Sequence, residues 1–275
     1  MKIVTQPIIF LHIPKSGGST FHTILGKKYH PSEIYNIFGA RQTDPEIIAF
    51  YNKPPETMAK INLLKGHMPF GLHEKLTSEA KYITFLREPV SAVTSKYYYI
   101  KKNAHNPKHR EVHESGMSIE EFVTSGVVYG ANNCHCRFLT GDIDRLAYGE
   151  NASVLEDAIG NIEKHFLWVG LTERFDESVL VLANLLGWKK PPYYIRQNVN
   201  QQKKPRDSLA EQTIKIINDY NQQDKALYEY ANNKLDEQIS RIPDFSEQLE
   251  KFVTKNRKLA SRYAWLPDKL QAYFL

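Results

Sequence analysis

The chain has 275 residues, 41% of them hydrophobic, and carries 36 Lys and Arg against 31 Asp and Glu for a formal net charge of +5. That length suits one sizeable α/β core, read here as a single domain over 1–275 with a helical extension from about 242; the modest basic excess fits an anionic ligand without demanding nucleic acid. No run approaches the ~18 apolar residues of a membrane span, a core strand begins within about seven residues of Met1 and leaves no room for a signal peptide or anchor, and only Cys134 and Cys136 are present, so disulfide stapling is excluded and a cytoplasmic protein without membrane contact is expected.

The first predicted element is the apolar run Ile8 to Ile13, a buried strand stopped by Pro14. Gly17 and Gly18 permit a tight turn, and Ser19 and Thr20 open a helix that continues through Leu25. Strand, glycine turn and helix N-terminus form an anion cradle, because unpaired N–H groups and the positive end of the helix dipole converge on one spot. Lys15 adds a full charge. It precedes the glycines, so the spacing is not the Walker A motif; placed at the strand end, it reaches the bridging oxygen of a phosphate anhydride. The competing reading is an ordinary glycine-rich turn. The stretch His12-Ile-Pro-Lys-Ser-Gly-Gly-Ser19 resembles the 5′-phosphosulfate loop of the sulfotransferases, specifically the carbohydrate branch known as sulfotransferase family 2. The resemblance implies an α/β fold of the P-loop NTPase-like type, three layers with a central parallel β-sheet flanked by helices. It also makes Lys15, Ser16, Gly17, Gly18, Ser19 and Thr20 cofactor-binding residues, with Lys15 also catalytic.

Lys27 to Pro55 reads as a long connection with little regular structure beyond a short helix at Pro45 to Tyr51. A second strand, Asn62 to Lys65, leads into Gly66-His67-Met68-Pro69. A histidine just past a strand end lies where α/β sheets place their ligands, and an imidazole titrates near working pH, so His67 is the expected general base; His73 is the alternative. In the uronyl 2-O-sulfotransferases, which this region resembles, a Gly-His pair at the matching place carries that role.

The third strand, Lys81 to Leu86, ends in Arg87-Glu88-Pro89, and Pro89 suits the first turn of a helix through Lys101. Arg87 and Ser95 can face one crevice; the alternative is a capping ion pair and a buried serine. The resemblance assigns this pair to the 3′-phosphate of 3′-phosphoadenosine 5′-phosphosulfate (PAPS), which a guanidinium fork and a hydroxyl suit chemically. Tyr97, Tyr98 and Tyr99 read as packing residues. His105, His109 and His113 are four residues apart, but Pro107 interrupts them and a surface loop is expected. Cys134-His135-Cys136 does not satisfy zinc, because close neighbours cannot all face one ion and no second cluster completes the set. This segment resembles instead the family's Asn-x-x-x-x-Arg-x-Leu-x-Gly helix, here Asn132 to Gly141, which packs beside cofactor and acceptor.

Asn151 to His165 fits an amphipathic helix, and Phe166 to Leu171 is the most apolar strand, hence expected at the sheet centre. Thr172-Glu173-Arg174-Phe175 matches a family stretch read as structural, and a helix follows to Leu186 and Gly187. Lys203, Lys204 and Arg206 form a basic, proline-broken loop similar to those that close over the nucleotide in sulfotransferases, the alternative being a solvated linker; Leu209 to Leu235 reads as one helix. The expected chemistry is metal-free sulfuryl transfer from PAPS to an acceptor hydroxyl on a glycan or small molecule, releasing adenosine 3′,5′-bisphosphate. The competing readings are a P-loop small-molecule kinase and a non-catalytic adenosine-bisphosphate-binding module.

Overall fold

The computed structural model describes residues 6–144, 153–196 and 209–266. Among these, five parallel strands form one sheet: β1 (Ile8–Leu11), β2 (Ile34–Phe38), β3 (Leu63–His67), β4 (Lys81–Leu86) and β5 (Phe166–Leu171), in the spatial order β2-β3-β1-β4-β5. The helices are α1 (Gly18–Gly26), α2 (Pro45–Tyr51), α3 (Pro55–Met58), α4 (Pro89–Lys102), α5 (Ile119–Thr124), α6 (Cys134–Thr140), α7 (Ser153–His165), α8 (Phe175–Leu185), α9 (Glu211–Tyr220), α10 (Gln222–Ser240) and α11 (Phe245–Arg262). This is the expected α/β architecture, a central parallel sheet flanked by helices. Every residue of β1 is buried, as is all of β4 after Lys81, because a parallel strand covered on both faces has no polar side. Phe21 of α1 meets Phe10 of β1 edge to face at 4.8 Å and Phe85 of β4 in the same way at 5.0 Å, so α1 is keyed to the strands beneath it. A second apolar cluster, including Val90, Phe122 and Ile217, joins α4, α5 and α9.

Four expectations are corrected. The connection after α1 contains β2, whose Ile-Tyr-Asn-Ile-Phe sequence buries fully only Ile37; an edge strand needs little apolar content, and so it read as loop. The apolar β5 lies at the opposite edge rather than the centre, because its hydrophobicity reflects packing against α7, α8 and α10 and not the number of its strand neighbours. Arg110–Glu114 forms a π-helical turn in the histidine-bearing loop, where His109 donates from Nδ1 to the carbonyl of Ile100 at 2.9 Å. Finally, the helix expected over 209–235 is two helices, broken at Asn221.

That break has a packing cause. Asn221 is buried; its Oδ1 accepts from the Asn133 N–H at 2.8 Å and its Nδ2 donates to the carbonyls of Ile217 and Ala131. Next to it, α6 and α10 cap each other. Asp224 accepts from the N–H groups of His135 and Cys136 at 3.0 and 2.9 Å, and Asn133 Oδ1 accepts from those of Gln223 and Asp224 at 3.1 and 3.0 Å. Asp224→Ala strands two buried donors at roughly 1–3 kcal/mol each, so a loss of about 3 kcal/mol is expected. In thermal unfolding this is a fall in Tm of roughly 6–12 °C; an unchanged midpoint would remove the cap from the stability account.

Candidate functional site

The carboxyl ends of β1, β3 and β4 open on one edge of the sheet and carry His12, His67 and Arg87. Between β1 and α1, Lys15 and Gly17 both adopt left-handed backbone, φ 71° and 74°. For lysine this costs roughly 1–2 kcal/mol, and such strain persists where surrounding structure enforces it. The enforcing group is Arg87, whose Nη1 donates to the Lys15 carbonyl at 2.8 Å. Gly17 is the N-cap of α1 and supplies no side-chain acceptor, so the positive end of the helix dipole faces the turn. The Lys15 ammonium lies 4.2 Å over the Tyr99 ring, a cation–π contact that packing alone did not anticipate. Ser19 is exposed and Thr20 buried.

Ser16 takes a different direction from its neighbours. It is 0% exposed, and its hydroxyl lies 3.3 Å from Nε2 of His135, whose Nδ1 is 3.4 Å from Asp224. The serine expected to meet phosphate therefore faces inward, and its side chain ties the loop to α6 and, through His135, to α10. Cys134 is half-buried and Cys136 is buried, both reduced.

His67 donates from Nδ1 to the backbone carbonyl of His12 at 2.7 Å. That bond fixes the tautomer: Nδ1 holds the proton, and Nε2 carries the lone pair a general base requires. Burial lowers the His67 pKa, with the charges of Lys96 and Lys15 adding to it, against a smaller opposing effect of the His12 carbonyl. The ring of His12 stacks on that of His67 at 4.3 Å and 26°, and its Nδ1 lies 3.0 Å from Nε2 of His22. His12 also abuts the loop, since a Cβ on Gly18 would fall 1.8 Å from its Nε2. One imidazole thus touches both the glycine turn and His67. The His12–His22 pair escaped the sequence reading. The signal was available, because a strand–turn–helix unit returns a residue one turn into the helix to the strand end.

Arg87 is largely buried, its Nε has no hydrogen-bond partner, and the Glu173 carboxylate is 3.8 Å away. Glu173 also accepts from the Glu88 N–H and the Tyr228 hydroxyl, while Arg174 holds Glu177, Asn232 and Asp236, in keeping with structural roles for both. Ser95 lies one helical turn before Tyr99 on the α4 face that meets Lys15. His73 is elsewhere. It bonds the Tyr82 hydroxyl at 3.1 Å and packs on His165 at 4.5 Å, near the starts of β4 and β5, so the structure does not bring it to the His67 cluster. Lys203, Lys204 and Arg206 lie outside the described residues. Among the described residues, no group of three or more His, Cys, Asp and Glu is arranged to hold a metal, and no helix is long and apolar enough to cross a membrane.

The residues present suit a doubly phosphorylated nucleotide, with a helix N-terminus and a lysine in one place and a guanidinium nitrogen without a hydrogen-bond partner beside them. Comparison with known proteins agrees with this chemistry. Galactose-3-O-sulfotransferase 3 of Mus musculus is 24% identical over 257 residues, 85% of this chain and 57% of the relative; the Homo sapiens protein of the same name is 25% identical over 248 residues, 82% and 55%. Galactose-3-O-sulfotransferase 2 of Sus scrofa is 30% identical over 143 residues, 47% of this chain and 34% of that one. The chain thus spans about half the length of the curated relatives it matches over most of its own. Among solved structures, mouse sulfotransferase SULT7A1 complexed with PAP aligns with a TM-score of 0.36 and 18% identity, covering 66% of this chain and 59% of that one. The family model described as Galactose-3-O-sulfotransferase matches residues 4–265, nearly the whole sequence, and the chain belongs to that family.

Proposed function

We propose that this chain is a PAPS-dependent sulfotransferase, a single catalytic unit that transfers a sulfuryl group to a hydroxyl of a galactose-bearing glycan. The observation that carries the reading is the meeting, at one sheet edge, of the Arg87-braced loop with a histidine whose Nε2 is left as an acceptor. In this reading the N–H groups opening α1 bind the 5′-phosphosulfate, Lys15 offsets the negative charge gathering on the leaving oxygen, and Arg87 with Ser95 takes the 3′-phosphate. Lys203, Lys204 and Arg206 are further candidates for the phosphates by their charge. The acceptor oxygen forms the new S–O bond as its proton passes to Nε2 of His67. The S–O bond to the nucleotide phosphate breaks in line, and adenosine 3′,5′-bisphosphate leaves with the electron pair.

The family match favours the 3-hydroxyl of galactose; the Gly66-His67 pair, which resembles that of uronyl 2-O-sulfotransferases, makes a uronic-acid 2-hydroxyl the second choice. The test is transfer of label from [³⁵S]PAPS to methyl β-galactoside or a uronic-acid oligosaccharide in the presence of EDTA, with the product position read by NMR. Label on galactose O3 is expected. Nucleotide binding without transfer to any hydroxyl would reduce the chain to a binding module, and Mg²⁺-dependent transfer from ATP would make it a kinase.

A further inference from the structure

Along the carboxyl edge of the sheet, the chemical groups stand in strand order. Arg87 follows β4, Lys15 to Thr20 follow β1, His67 ends β3, and Phe38 ends β2. Neighbouring strands are ~4.8 Å apart, so these groups form a short row. On the reading above, the first two hold the nucleotide and its sulfuryl group and the third is the base. The place beyond the base falls to the acceptor.

Phe38 occupies that place. The residue is 57% exposed, one of five large hydrophobic residues left exposed among the described residues, and its ring stands edge-on to His67 at 6.1 Å and 67°. The backbone beneath it is fixed. Phe38 and His67 are register partners across β2 and β3, the Gly39 N–H donates to the His67 carbonyl at 2.8 Å, and the Phe38 N–H donates to Glu46 at 2.7 Å. An uncovered aromatic ring, rigidly mounted beside a general base, offers an apolar face to whatever presents its hydroxyl there.

We propose that Phe38 is the acceptor platform and that it receives a galactopyranoside by its C–H face. The axial O4 of galactose points to one side of the sugar and leaves H3, H4 and H5 as a continuous apolar patch on the other; the equatorial O4 of glucose interrupts that patch. The π-face of Phe38, negative at its centre, complements these hydrogens. The equatorial 3-hydroxyl then leaves the sugar in its own plane, past the platform, toward the imidazole that stands edge-on to it. This inference rests on the sulfotransferase reading for its nucleotide half, whereas sugar recognition is measurable without transfer.

Methyl β-galactoside and methyl β-glucoside are titrated into protein saturated with adenosine 3′,5′-bisphosphate, with binding followed by ligand-detected NMR. The wild type is expected to prefer the galactoside, and Phe38→Ala to weaken galactoside binding about tenfold, the equivalent of roughly 1.4 kcal/mol, and to erase the preference. Phe38→Trp should restore it. In the transfer assay the same alanine variant should raise acceptor KM without a matching fall in kcat, and nucleotide Kd should not move. Unchanged sugar affinity in Phe38→Ala, a parallel loss of nucleotide affinity, or a wild type that binds neither sugar would each overturn the proposal. Failure of the transferase reading looks different: no label moves while Phe38-dependent galactoside binding persists.

Discussion

His67→Ala is expected to lower kcat by about 10²–10⁴-fold, the span that positioned proton transfer contributes, while calorimetry returns the wild-type Kd for adenosine 3′,5′-bisphosphate. The separation follows from geometry, because the His67 ring bonds the His12 carbonyl through Nδ1 and leaves Nε2 for the proposed acceptor, whereas the proposed anion cradle is the N-terminal backbone of α1. Wild-type turnover in that variant would reject the base. The pH profile carries the same information. Burial first, then the Lys96 and Lys15 charges, hold His67 below its ordinary 6.5, so the neutral base survives to lower pH and the acid limb of kcat/KM falls below 6.5. His12 and His22 are also held down, chiefly by burial, His22 to about 3. In all three the unfolded chain binds the proton more readily, so their contribution to stability is complete above pH 6.5 and is lost as the pH falls toward 3. A thermal midpoint that rose on acidification through this window would contradict the cluster.

Lys15→Ala is expected to cost about 10²–10³-fold in kcat, as removal of one preorganised charge at a leaving oxygen does. Lys15→Gly should lose as much activity and yet be more stable than the alanine variant by on the order of 1 kcal/mol, because only glycine takes φ 71° without strain. The pair of variants separates two roles of one residue. Turnover reports the ammonium and thermal unfolding reports the backbone. Equal midpoints for the two variants would show that the turn carries no strain, and wild-type turnover in either would remove the lysine from the reaction.

The legible parts of the fold were those where one physical cause wrote the pattern. β1 and β4 are continuous apolar runs because both faces are covered, and the glycine turn after β1 declares itself because α1 must start without a side-chain cap. Where two causes write the same letters, the sequence is ambiguous. The apolar Phe166–Leu171 reports helices above and below and is silent about strand neighbours, so an edge strand reads as a central one. β2 hides for the opposite reason, burying too little to stand out from its polar flanks. Asn221 sits in a helix-forming stretch, and only its contacts to Asn133 and Ala131, distant in the chain, break the helix there. Lys15, Arg87 and His67 were singled out as candidates by position relative to strand ends, while the inward turn of Ser16 and the His12–His22 contact depend on packing that no local pattern encodes.

Ser16 hangs from His135, and His135 from Asp224. In the chain the loop comes well before the carboxylate that anchors its brace, which belongs to α10. A nascent chain stopped short of α10 would hold every letter of the anion motif and still lack its keystone. The conformation of the turn after β1 is therefore secured by a side chain from a distal helix, far from it in sequence.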